Sequence, residues 1–145
     1  MKKFINFIVS TIFVVTAYAT DGIQPSVGSP YSVIPVPEKI EITKGIYSLP
    51  NAATFYLKGV KSGTLADYLV NSSLSLQEAD KANRANILIE INAKKNASSN
   101  SEAYKLTITP TRITIKANSE AGAFYAIQTI LQMSEGGVKR ELQCC

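Results

Sequence analysis

From Tyr104 to Lys116 apolar and polar residues alternate on both sides of a Pro110-Thr111 turn, and a helix-period segment follows at once. Tyr104, Leu106, Ile108, Ile113 and Ile115 fall on one face, and Lys105, Thr107, Thr109, Arg112, Thr114 and Lys116 on the other. Such alternation predicts a hairpin in a sheet with one buried face and one wet face. Ser119–Ser134 then places Phe124, Ile127, Ile130 and Leu131 at helical spacing, with the Ser119 hydroxyl as an N-terminal cap. A sheet with one dry face, followed by a helix with one apolar stripe, points to a layered α+β fold.

Upstream signals extend the pattern. KIEITKGIYSL from Lys39 reads as two short strands around a Lys44-Gly45 turn, and Ala53–Leu57 as a third. Residues 62–73 switch period, with Leu65, Leu69 and the Ala66/Val70 pair on one helical stripe. Ile87–Ile91 is a strand, and residues 96–101 (NASSNS) form a polar loop. The predicted order is β-β-β-α-β-β-β-α: a two-layer sandwich, a mostly antiparallel sheet with two helices on one face.

The amino terminus carries a different message. Met1-Lys2-Lys3 is basic, Phe4–Val15 is nearly all apolar, and Ala17-Tyr18-Ala19 is a small-x-small cleavage pattern. The apolar run is shorter than the roughly 20 residues a spanning helix needs. Residues 1–19 are therefore expected to be a secretory signal peptide cut after Ala19, leaving no stable membrane anchor. The expected destination is the periplasm or the extracellular space. Residues 20–33, rich in Gly, Pro and Ser, read as a flexible lead-in, residues 34–134 as the folded domain and residues 135–145 as a link. Loss of Lys2 and Lys3 with the leader leaves 13 basic and 11 acidic residues, a net charge of +2 rather than +4. The only basic doublets in that remainder are Lys94-Lys95 and Lys139-Arg140, too few and too scattered for the basic stripe of a nucleic-acid binder.

The residues available for chemistry are few. The chain has no His and no Trp, which excludes Ser-His and Cys-His nucleophile pairs and imidazole metal ligands. Its 145 residues are too few for a self-contained (β/α)₈ barrel, which takes roughly 250. GVKSGT at 59–64 lacks phosphate-loop spacing. Glu38/Glu41 and Glu78/Asp80 are the closest carboxylate pairs, and both read as solvated surface. Tyr47, Tyr56, Tyr104 and Tyr125 could in principle form a sugar platform, but their positions in strands and the last helix suit a core edge better. Asn71-Ser72-Ser73 and Asn96-Ala97-Ser98 fit the glycosylation sequon. Cys144 and Cys145 are adjacent, a geometry that disfavours a mutual disulfide, and no other Cys or His completes a zinc site. No catalytic, cofactor-binding or metal-binding residue is assigned, and no cofactor is expected.

Two stretches go beyond generic pattern. Ile34-Pro35-Val36-Pro37 with the following KIEITKGIYSLP, and above all EAYKLTITPTRITIKANSEAGAFYAIQTILQM from Glu102 to Met133, resemble the N-terminal non-catalytic domain of bacterial β-N-acetylhexosaminidases, glycoside hydrolase family 20. Gly122-Ala123-Phe124-Tyr125 and the Gln128-Thr129…Leu131-Gln132 run are its most specific parts. The resemblance implies an accessory α+β domain that precedes a catalytic (β/α)₈ barrel in the same polypeptide and carries no catalytic residue. It also implies a glycan substrate reached through that barrel, whose adjacent Asp-Glu pair works with the substrate's own acetamido group. No Asp-Glu dipeptide occurs here. The chain is thus expected to stop short of the barrel and to be inactive alone. Two other readings are an independent periplasmic carbohydrate-binding or interaction module, and the leading domain of an α-glucuronidase or hyaluronidase-like enzyme.

Overall fold

The computed structural model describes residues 31–60, 63–92 and 100–145. The leader through Ala19, residues 20–30 of the lead-in, Lys94-Lys95 and the Asn96 sequon lie outside the described residues. The elements run β1 (Ile46–Ser48), β2 (Thr54–Lys58), α1 (Thr64–Asn71), β3 (Gln77–Glu78), a 3₁₀ turn (Ala82–Arg84), β4 (Ile87–Ile91), β5 (Tyr104–Thr109), β6 (Arg112–Ala117), α2 (Glu120–Met133) and β7 (Glu141–Gln143). The α+β layering stands as expected, with one sheet face dry beneath two helices.

The main sheet has the order β3-β2-β4-β6-β5, and a small second sheet pairs β1 with β7. Register places Phe55, Ile87, Ile113 and Ile108 in one rung, and Leu57, Ile89, Ile115 and Leu106 in the next. Most of these side chains are wholly buried. They meet Leu65 and Leu69 from α1, and Ala123, Ala126, Ile127, Ile130 and Met133 from α2. The opposite face presents Lys58, Glu90, Thr114, Lys116, Lys105 and Thr107, each half-buried or exposed. Period-two alternation produces this division directly.

Strand direction is where the structure departs from the expectation. The β5–β6 hairpin and the β1–β7 pair are antiparallel, but β2 runs parallel to both β3 and β4, and β4 parallel to β6. The sheet is mixed. A helix-bearing connection returns the chain to the end where the preceding strand began, so the strand after α1 enters parallel to β2. Alternation along a strand reports its faces and carries no information on its neighbour's direction.

Element boundaries differ in three places. Residues 39–43, expected as a strand, make no ladder; Thr43 alone among them joins the small sheet, its N–H donating to the Cys144 carbonyl at 3.0 Å and its carbonyl accepting from the Gln143 amide at 2.9 Å. The two-residue β3 and the three-residue β7 are too short for periodicity to register. Residues 141–145, read as part of a link, are packed into the domain: Leu142 and Cys144 are buried, and Cys145 exchanges backbone hydrogen bonds with Ile108 on β5. The carboxyl-terminal segment thereby ties the small sheet to the edge of the large one.

The second helix begins as the sequence indicates. Ser119 is extended, and its hydroxyl accepts from the Gly122 N–H at 3.3 Å while donating to the Ser101 carbonyl at 2.6 Å. Ser119→Ala is expected to lower stability by about 1 kcal/mol, as for other lost caps, read as a lower urea midpoint with an unchanged slope. The stripe on α2 is rotated from the expected one. Ile127 and Ile130 are buried as foreseen, but Phe124 is 37% exposed and its place is taken by Ala123 and Ala126.

Candidate functional site

The residues weighed from sequence do not converge. Glu41 is exposed and paired with Lys39 at 2.6 Å, whose ammonium draws its carboxyl below the ordinary value. Asp80 meets Arg84 at 3.3 Å and Glu78 is exposed on β3. Carboxylates placed this way are solvated surface groups, and their ion pairs are of the weak, exposed kind. Within 59–64, Gly59 has φ +80°, and a Cβ there would lie 2.3 Å from the Ile91 carbonyl oxygen, so its glycine serves a tight backbone approach. The Asn71 side chain closes α1 by donating to the Asp67 carbonyl at 2.8 Å.

The cysteines and tyrosines are separated too. Cys144 and Cys145 are both free. Burial pushes the Cys145 thiol up from its ordinary value, so the nucleophilic thiolate is disfavoured. Tyr47 is buried opposite Leu142, and Tyr104 reaches into the helix layer to share a 2.7 Å hydrogen bond with the Thr129 hydroxyl. Tyr56 is half-buried on the open sheet face. Among the described residues no group of three or more acidic or Cys side chains stands close enough to hold a metal ion. None of their helices is long and apolar enough to cross a membrane.

What the fold does assemble is an aromatic surface on the outer side of the helices. Phe124, Gln128 and Gln132 recur every fourth residue and so form one stripe of α2. The Phe124 ring lies 5.0 Å from that of Tyr68 on α1 and 6.0 Å from that of Tyr125, in tilted and edge-on contacts. Gln128 donates its amide to the Tyr68 hydroxyl, locking the helices together across the cluster. One turn on, Gln132 accepts from the Ile34 N–H at 2.8 Å and donates to the Ile34 carbonyl at 3.0 Å. That two-point clamp fixes the start of the domain to the end of α2. It leaves Ile34 and Val36 each 76% exposed, while Val70 on α1, Phe124 and Tyr125 are also exposed.

Phe124 and Tyr125 are thus aromatic side chains in mutual contact that remain open to water. Tyr125 was among the sequence candidates; Tyr68 was not. It lies one position off the Leu65/Leu69 stripe, and only the packing of α1 beside α2 brings it to Phe124. The two glutamines noted in the sequence have structural roles here, as ties from α2 to its neighbours.

Comparison with known proteins agrees with this architecture. No curated protein matches the chain. Among solved structures, a β-N-acetylhexosaminidase from Bacteroides fragilis NCTC 9343 superposes with a TM-score of 0.64 at 22% identity, over 77% of this chain and 23% of that one. A GH20 exo-β-N-acetylglucosaminidase from Vibrio harveyi gives 0.57 at 21% identity, over 78% and 18%. A chitobiase from Flavobacterium johnsoniae gives 0.54 at 19% identity, over 71% and 18%. The chain thus spans about a fifth of the length of these proteins, and at such identities the likeness is one of fold. Residues 30–145 match the profile of glycosyl hydrolase family 20, domain 2. The chain belongs to glycosyl hydrolase family 20, as the accessory second domain of that family.

Proposed function

We propose that the chain serves an exported β-N-acetylhexosaminidase, docking through the outer face of its helices on the catalytic barrel that removes terminal N-acetylhexosamine from glycans. The observation that carries this reading is the Tyr68–Phe124–Tyr125 cluster, with Phe124 and Tyr125 exposed, in a domain whose family carries a glycosidase barrel in the same polypeptide. Burying apolar area there would stabilise the pair by about 25 cal/mol per Å² before association costs. The catalytic groups in this reading are the barrel's, and this chain contributes support. The basic, apolar and small-x-small pattern of Met1–Ala19 supports export, since glycans of this kind are met outside the cytoplasm.

The experiment mixes the purified chain with a family 20 barrel produced without its own second domain, such as that of the Bacteroides fragilis enzyme. The barrel's melting temperature should rise by several degrees at saturation, as for any ligand that binds only the folded state. The double variant Phe124→Ser/Tyr125→Ser should abolish the shift while the chain itself stays folded. The chain alone should release no chromophore from an aryl N-acetylglucosaminide. Turnover above background by the chain, or no thermal shift with any barrel tested, sinks the proposal.

A further inference from the structure

The open face of the sheet, opposite the docking surface, carries a charge arrangement that folding alone does not explain. One rung crosses β2, β4, β6 and β5 as Lys58, Glu90, Lys116 and Lys105. Glu90 is taken by Lys58 at 3.0 Å. Lys116 and Lys105 are direct cross-strand partners, and among the described residues neither makes an ion pair. The carboxylate of Glu41 is close enough to feel Lys105, but Lys39 holds it at 2.6 Å. Like charges directly opposite one another on a sheet face are destabilising, with Cβ atoms about 5 Å apart.

Two adjoining hollows flank this pair, of about 280 Å³ and 230 Å³, and Lys105 and Lys116 line both. Asn92 and Asn118 contribute to the first, and Thr107 and Thr114, the partners on the neighbouring rung, to the second. The surface therefore offers two ammonium groups in a shallow track with the Thr107 and Thr114 hydroxyls beside them, while the Asn118 amide on the other side already donates to the Asn100 carbonyl at 2.9 Å. A single anionic group bridging the ammoniums would turn the repulsion into two attractions. The threonine hydroxyls beside the pair can donate to and accept from the hydroxyls of an extended sugar chain.

We propose that this face binds an acidic polysaccharide, seating a carboxylate or sulfate group between Lys105 and Lys116. The glycan as carrier of the anion rests on the glycosidase reading above. The site faces away from the helices, so it can be filled while the barrel is docked. Its role would be to hold an anionic glycan near the partner barrel without taking part in the chemistry.

The test measures binding of the full chain to dextran sulfate, polygalacturonate and uncharged dextran by calorimetry at low ionic strength. Either acidic polymer should bind, the one that does naming the sulfate or the carboxylate, and dextran should not. Lys105→Gln/Lys116→Gln should weaken binding about tenfold, as two lost surface ion pairs imply, and Lys81→Gln should leave it unchanged. The double variant should melt no lower than the parent, because a repulsive pair has been removed. Equal binding by the double variant, equal binding of uncharged dextran, or equal binding of single-stranded oligothymidylate would each overturn the proposal. Because neither turnover nor barrel docking enters the readout, failure of the glycosidase reading would be seen separately.

Discussion

Phe55→Ala is expected to cost about 4 kcal/mol, the middle of the range for truncating a fully buried aromatic ring. Phe55 is 0% exposed on β2, between Glu78 of β3 and Ile87 of β4. Removing its ring leaves a cavity that three elements border. β2 and β4 cannot close over the space without breaking register, because each is held by backbone hydrogen bonds on both sides. Chemical denaturation would read the loss as a lower midpoint with an unchanged slope. Phe55→Leu, which keeps most of the volume, should cost only about a third as much. A loss below about 1 kcal/mol for the alanine variant would mean that the sheet interior is not packed as described.

Gly122→Ala carries the second large effect, and here the sign itself is informative. Inside a helix, Gly→Ala ordinarily stabilises by about 1 kcal/mol, since alanine loses less backbone freedom on folding. Gly122 departs from that rule because a Cβ there would lie 2.7 Å from the Ala103 carbonyl oxygen and 3.0 Å from that of Glu102. These are main-chain atoms entering β5, and they cannot swing aside as a flexible side chain would. Overpacking costs about 1–3 kcal/mol, and a clash with main-chain oxygens belongs at the upper end, about 2–3; set against the propensity gain of about 1, the net change is a loss of about 1–2 kcal/mol. For a domain of this size the melting temperature should fall by about 10 °C. Gly63→Ala is the control: nothing lies within 4 Å of a Cβ at that position, and its effect should be small. A rise in melting temperature for Gly122→Ala would show that α2 does not approach the β5 lead-in as closely as described.

Gly122 also explains why the Gly122-Ala123-Phe124-Tyr125 run is distinctive. Glycine allows the helix to approach the β5 lead-in, and Ala123 continues the close packing against the sheet. Phe124 and Tyr125 then turn outward to solvent. Four consecutive residues serve three purposes, and few other residue types would serve all of them. The same holds for Gln128 and Gln132, whose amides tie α2 to α1 and to the chain entry. Their spacing is visible in the sequence; the partners Tyr68 and Ile34, 60 and 98 positions away, are not.

The longer elements were legible because each spans more than one period of its own pattern, which the two-residue β3 and three-residue β7 do not. Alternation located β4, β5 and β6, helical spacing located both helices, and Ser119 located the start of the second. The lysines on the open face could also be assigned to that face from alternation alone. Their pairing as neighbours was implied once the Pro110-Thr111 hairpin was recognised. The charge balance around them was not, because Lys58 and Glu90 meet Lys116 only through the parallel register of β2, β4 and β6.

Local order is set by interactions that span a few residues: capping, periodic burial and turn chemistry. For this reason the sequence by itself determined the two layers, the wet and dry faces, the resemblance that proved to be family membership, and the lack of a histidine-based catalytic centre. Strand direction, the packing of Leu142 and Cys144, and the meeting of Tyr68 with Phe124 depend on how separate segments share one limited volume. Those features were decided only by the tertiary structure, because the free energy that selects them comes from contacts between residues far apart in the chain.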